Sequence, residues 1–301
     1  MVSMLSTTEL QDRISAAYQL LESCRVCPRE CGVNRLKDDK LGFCRSGLNP
    51  VISSVSSHHG EEPPLSGTSG SGTIFFANCN LRCVYCQNYP ISQMGNGEER
   101  TPGELACQML WLQEQGCHNL NLVTPTHFMP QILKALGIAR ERGFNLPIVY
   151  NTSGYETIEA LKLLDGIVDI YLPDMRYSDD RTSLKYSIAP HYPEINRAAI
   201  KEMYRQVGNL ALDANGIAKR GLIIRHLILP CGLSGTEKIM KFLAEEISKD
   251  VYISLMSQYF PAYKATQYKE INRRITTDEY DEAYQAMQKY GLENGWVQEF
   301  E

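Results

Sequence analysis

The segment CNLRCVYC, residues 79–86, holds Cys79, Cys83 and Cys86 directly after the apolar run GTIFFAN. A disulfide uses two thiols and a closed tetrahedral zinc site uses four. Three thiolates suit a different chemistry, in which each holds one iron of a 4Fe–4S cluster and the fourth iron keeps an open position. An open position marks a metal centre that acts on a ligand rather than one that only braces a fold. The flanking Asn78, Asn80, Arg82, Gln87 and Asn88 are polar, and Pro90 opposes a long helix. The spacing therefore reads as a loop wrapped around a group, not as one buried helix face.

A second set lies upstream. CRVCPRECGVNRLKDDKLGFC places Cys24, Cys27, Cys31 and Cys44 within 21 residues. Four soft ligands close a coordination sphere, and both tetrahedral zinc and an auxiliary 4Fe–4S cluster satisfy them. Seven of the ten cysteines fall in these two sets, which points to metal or redox chemistry, since cytosolic thiols are kept reduced.

Cys79-x3-Cys83-x2-Cys86, with Tyr85 just before the third cysteine, resembles the cluster loop of the radical S-adenosylmethionine (radical SAM) superfamily. The continuation CQNYPISQ and the segments VYNTSGY, DIYLPDMRY and IRHLILPCGLSG look like the pyruvate formate-lyase activating-enzyme branch, specifically its larger relatives with an N-terminal cysteine cluster. The resemblance covers roughly residues 20–265. It implies that the amino and carboxylate groups of SAM chelate the open iron. One electron from the reduced cluster then cleaves SAM to methionine and a 5′-deoxyadenosyl radical, which abstracts hydrogen from a substrate. A low-potential donor such as flavodoxin or ferredoxin would supply the electron, and a glycyl-radical enzyme would be the target of an activase. A small molecule or peptide is the alternative target. A reading of another class, a non-redox zinc-stabilised binding protein, explains the four-cysteine set but not the three-cysteine loop.

The same resemblance nominates Tyr85, Thr124, Thr126, Asn151, Ser153, Asp174 and Arg225 as cofactor-binding residues. Where relatives carry a Gly-Gly-Glu-Pro-like stretch, this chain reads VTPTHF, so Thr124, Thr126 and His127 take its place. Asn151 and Ser153 lie where activases have an Asp-Thr-Asn-Gly-like stretch, with Gly154 freeing the backbone at the turn. Asp174 and Arg176 match an Asp-Leu-Lys-like stretch. Arg225 interrupts an apolar strand and needs an anion, for which the SAM carboxylate and Asp174 are the candidates. SHHGEEPP, residues 57–64, offers two histidines and two acids, with a solvated loop as its plainest reading. Cys107 and Cys117 flank a helix and read as core residues, while Cys231 follows a strand end.

These residues need a scaffold. Apolar runs at 72–78, 119–125, 147–153, 168–175, 222–229 and 251–259 alternate with helical stretches, and such runs suit a parallel sheet covered by helices. Six units fall short of an eight-unit barrel, so the expected fold is a partial (β/α)6 barrel of radical SAM type with ligands at the strand C-terminal ends; a doubly wound sheet is the alternative. The expected organisation is an N-terminal helix and four-cysteine metal module over 1–48, a Ser/Gly/Pro-rich connecting loop over 49–72, and the barrel with a C-terminal helix over 73–301. The 301 residues, 43% hydrophobic, suffice for a large core. A net charge of −5 and the lack of a basic run argue against nucleic acid. No stretch nears the ~18 apolar residues of a membrane span, and Glu9, Asp12 and Arg13 oppose a signal peptide, so a cytoplasmic location is expected.

Overall fold

The computed structural model describes residues 6–298. Its strands are β1 (Val51–His58), β2 (Ser71–Phe76), β3 (Glu98–Glu99), β4 (Leu120–Val123), β5 (Ile148–Thr152), β6 (Ile170–Pro173), β7 (Ala211–Leu212), β8 (Ala218–Leu227), β9 (Tyr252–Met256) and β10 (Gly295–Val297). The six expected strands, β2, β4, β5, β6, β8 and β9, pair in parallel in that order. β10 adds a further parallel strand on β9. The sheet runs from β10 to β3 without closing on itself, as a partial barrel should.

Ten helices accompany them: α1 (Thr7–Gln19), α2 (Pro63–Ser66), α3 (Tyr89–Ser92), α4 (Pro102–Glu114), α5 (Met129–Glu141), α6 (Ile158–Leu163), α7 (Asp180–Ser187), α8 (Tyr192–Val207), α9 (Thr236–Phe242) and α10 (Thr277–Lys289). Their starts are written locally. Ser6 with Glu9, Thr101 with Glu104, and Thr276 with Glu279 form capping boxes at α1, α4 and α10, each satisfying backbone N–H groups that the first turn leaves unpaired.

Two expected boundaries do not hold. Segment 49–72 is not a connecting loop: β1 pairs antiparallel with β2 from Ile52↔Phe76 to His58↔Ser71, and the short α2 follows. The paired serines of VISSVSSH, Ser53–Ser54 and Ser56–Ser57, disguised a strand whose pairing partner, β2, supplies most of the apolar surface. Leu65 of α2 is fully buried against Val149, Ile170, Leu172, Ala218 and Ile223, so this segment plugs the inside of the barrel. The four-cysteine region is likewise no free-standing module. Leu10, Ile14 and Ala17 on α1, with Leu20 and Leu21 after it, join the main core, where α1 packs on α5 and α6. Gly137 of α5 permits this approach, since a Cβ there would meet Ile14 Cδ1 at 3.2 Å.

Candidate active site

Parallel strands deliver their following residues to one end of a barrel. Asn78, with φ +68°, turns the chain out of β2 into the cysteine loop. Cys79, Cys83 and Cys86 then line a cavity of about 550 Å³ together with Thr124, Asn151, Ser153, Asp174, Arg176 and Arg225. Each sulfur has its own polar partner. The Leu81 N–H donates to Cys79 Sγ at 3.3 Å, Ser187 Oγ donates to Cys83 Sγ at 3.0 Å, and Cys86 Sγ lies 3.1 Å from Ser92 Oγ. Arg176 Nη1 adds a charged donor to Cys83 Sγ at 3.4 Å.

Burial, with repulsion from Cys83, pushes the Cys79 thiol up to about 12, and burial raises Cys86 as well. As free thiols these groups stay protonated at neutral pH; a metal replaces the protons, and the donors already aimed at sulfur stabilise the resulting thiolates. Among the described residues no three His, Cys, Asp or Glu side chains converge as they would on one ion. The three thiols instead face a shared space, and a cluster that gives each sulfur its own iron needs that arrangement. The donor set fits a 4Fe–4S cluster.

Asp174 is the electrostatic hinge of the cavity wall. Burial alone would raise its carboxyl, but Arg225 and Arg176 outweigh that and hold it below the usual range. Arg225 Nε donates to Asp174 Oδ1 at 2.9 Å and Arg176 Nη2 donates to Oδ2. Of the two candidate anions for Arg225, Asp174 is thus the one in place. Arg176 Nε and Ser153 Oγ are buried without partners and line the cavity. Gly154, at φ +69°, could not be replaced, because a Cβ would meet Asn196 Nδ2 at 2.1 Å and Asp174 O at 2.8 Å.

Two nominated residues lie elsewhere. Thr126 is buried and donates to Glu156 Oε1 at 2.6 Å, because Thr124 at φ +61° and the 3-10 turn Thr126–Phe128 swing it away from the cavity. Tyr85 hydrogen-bonds Tyr177 through its hydroxyl at 2.5 Å and lines only a smaller adjoining pocket of about 170 Å³. His127 turns from this site, bonding Ala77 O through Nε2 at 2.9 Å. Cys231 is exposed beside Arg273 and Glu279, and Cys107 is exposed rather than in the core.

The stretch SHHGEEPP, whose plainest sequence reading is a solvated loop, reaches the site as well. His58, Glu61 and Glu62 of SHHGEEPP line the cavity at the end away from the cysteine loop, since His58 pairs with Ser71 at the start of β2 while Cys79 follows its end. His58 Nδ1 lies 2.9 Å from Glu61 Oε1. Burial raises the Glu62 carboxyl, against the pull of Arg225. Ser254, Gln258 and Gln298 also line it; polar interruptions in VYISLMSQY were the only sequence signal for the first two, and Gln298 had none. Cys24, Cys27, Cys31 and Cys44 line a separate small cavity with Arg29, Arg35 and His127.

Residues 73–209 match the family model described as the radical SAM superfamily. The uncharacterized protein MJ0674 of Methanocaldococcus jannaschii is 33% identical over 93% of this chain and 79% of its own length. A second protein of that organism, MJ0808, is 27% identical over 81% of this chain and 72% of its own. Among solved structures, Streptococcus suis SuiB bound to precursor peptide SuiA superposes with a TM-score of 0.50 at 10% identity, covering 74% of this chain and 47% of that one, a likeness of fold. A cysteine loop at the head of an unclosed parallel barrel, lying within the stretch that the family model matches, leads to one conclusion: the chain belongs to the radical SAM superfamily.

Proposed function

We propose that this protein is an enzyme that reductively cleaves SAM at Cys79, Cys83 and Cys86 and uses the resulting radical within the adjoining cavity. The observation that carries this reading is the set of three thiols, each with its own polar partner, facing one cavity with Thr124, Asn151 and Ser153. The three cysteines would hold the cluster. When bound, cluster and sulfonium together supply a one-electron bond cleavage that yields a hydrogen-abstracting carbon radical.

The chain's own residues bind and orient. Ser153 Oγ and Arg176 Nε, buried without partners, offer hydrogen bonds to a polar ligand. Asp174 fixes both guanidiniums, which present positive charge to a carboxylate. The cavity wall of β5, β6, β8 and β9 limits access of water to the reacting atoms.

Motif resemblance supports an activase that places the radical on a glycine of a partner enzyme, with flavodoxin or ferredoxin as electron donor. The carboxylates of Glu61 and Glu62 beside His58 support a second reading, a cationic small molecule or peptide side chain as substrate. Anaerobic, reduced protein incubated with SAM should form 5′-deoxyadenosine and methionine, and Cys83→Ala should form neither. A fully iron-loaded protein that leaves SAM intact would overturn the reading. A glycyl-radical signal by electron paramagnetic resonance, sought on added glycyl-radical enzymes, separates the two targets.

A further inference from the structure

Arg29 and Arg35 line the four-cysteine cavity and Arg82 adjoins it over the Phe43 ring; none of the three is ion-paired to a carboxylate among the described residues, although Glu30 also lines the cavity. Arg35 is 1% exposed. It donates to Gly47 O at 3.2 Å and His127 O at 2.6 Å, and its guanidinium lies 4.0 Å from Cys24 Sγ. Arg29 and Arg82 both stack on the Phe43 ring, at 3.7 and 4.5 Å, and Arg29 Nη2 is buried with no partner. Among the described residues, the ion pairs of arginine all involve other residues.

A buried cation is strongly unfavourable until an anion balances it. Apart from the exposed carboxylate of Glu30, the groups at hand that can become anions are thiols. Cys24 sits beside Arg35, Cys27 and Cys31 share the cavity wall with Arg29, and Cys44 follows Phe43. The Phe43 N–H donates to Cys31 Sγ at 3.2 Å. Thiolates crowded together repel one another, and a bound metal ion removes that repulsion.

We propose that Cys24, Cys27, Cys31 and Cys44 ligate a tetrathiolate metal centre whose net negative charge is the missing counter-ion of Arg29, Arg35 and Arg82. Four thiolates around a 4Fe–4S core leave an excess of negative charge that the arginines fit, and a cluster that gives each sulfur its own iron suits four thiols that do not converge on one ion. The centre adjoins the three-cysteine loop. Arg82 donates to Cys79 O at 3.0 Å and also to Phe43 O, and Arg29 Nε donates to Asn80 O at 2.9 Å. Arg82 thus touches the backbone of both cysteine segments, and Arg29 links them through Asn80 O and the Phe43 ring.

The test uses the full-length triple variant Cys79→Ala/Cys83→Ala/Cys86→Ala, purified anaerobically, so that metal bound to it reports on the four-cysteine set alone. The expected result is about four irons per chain, with Cys24, Cys27, Cys31 and Cys44 protected from alkylation until a chelator is added. A folded triple variant without iron, or with all four thiols alkylated before chelation, would overturn the proposal. Arg35→Gln in the same background should lose its metal to chelator about tenfold faster, and Arg35→Lys should recover part of that loss. Unchanged retention in Arg35→Gln would remove the arginines from the argument. Failure of the radical SAM reading would show separately, as wild-type protein holding no more iron than the triple variant.

Discussion

Asp174 carries two guanidiniums on one carboxylate, and removing its charge leaves both unanswered. Breaking a fully enclosed pair costs about 3–5 kcal/mol, but Arg176 and Arg225 keep some water, so Asp174→Asn should cost roughly 2–3 kcal/mol, read as a lower urea midpoint. Glu156 presents the opposite case. Burial, opposed by Thr126 and Thr152, raises its carboxyl to about 7 from 4.5. The unfolded chain then releases this proton at lower pH than the folded one, so the full stability below pH 4.5 falls as pH rises toward 7 and stays low above it. Glu156→Gln should remove that slope and stabilise the protein at pH 8 by up to about 3 kcal/mol, checked by urea unfolding at pH 4.5 and pH 8. The cluster cysteines were legible because their spacing is local. Thr126 misled because Thr124 reverses the chain just before it, and a side chain's direction after a positive-φ residue is not visible in residue types.

At the scale of elements, β1 and α2 decide the shape of the cavity's far end. Leu65, fully buried within the barrel, should cost about 3 kcal/mol when truncated to Ala. The cavity beside His58 and Glu62 should then bind a hydrophobic dye that wild-type protein excludes. The helical layer offers a second check at Gly137, where Gly137→Val should push α1 off α5 at a cost of about 1–3 kcal/mol. Faster hydrogen exchange confined to Thr7–Gln19 would report it. All six parallel strands could be read from apolar runs, because strands buried on both faces announce themselves by composition. β1 could not: its serines look like a linker until β2 pairs with it. His58, Glu61 and Glu62 stood out in SHHGEEPP by residue type, but their place in the cavity did not, since only the fold-back of β1 carries them there.

At the scale of the molecule, the N-terminal segment and the barrel share one core, so they should melt together. Full-length protein should show one calorimetric transition, whereas a chain cut to residues 49–301 would expose the faces of α5 and α6 that α1 covers and should be insoluble or melt well below the parent. The sheet itself ends, on one side, in β3, which is two exposed glutamates, Glu98 and Glu99. An open sheet invites strand addition from another copy wherever its last strand is long and apolar. Here the last strand is two residues long, and both of its glutamates are already held, Glu98 by Arg100 and Glu99 by Lys40. So short and so charged an edge gives a neighbouring chain almost no backbone to pair with.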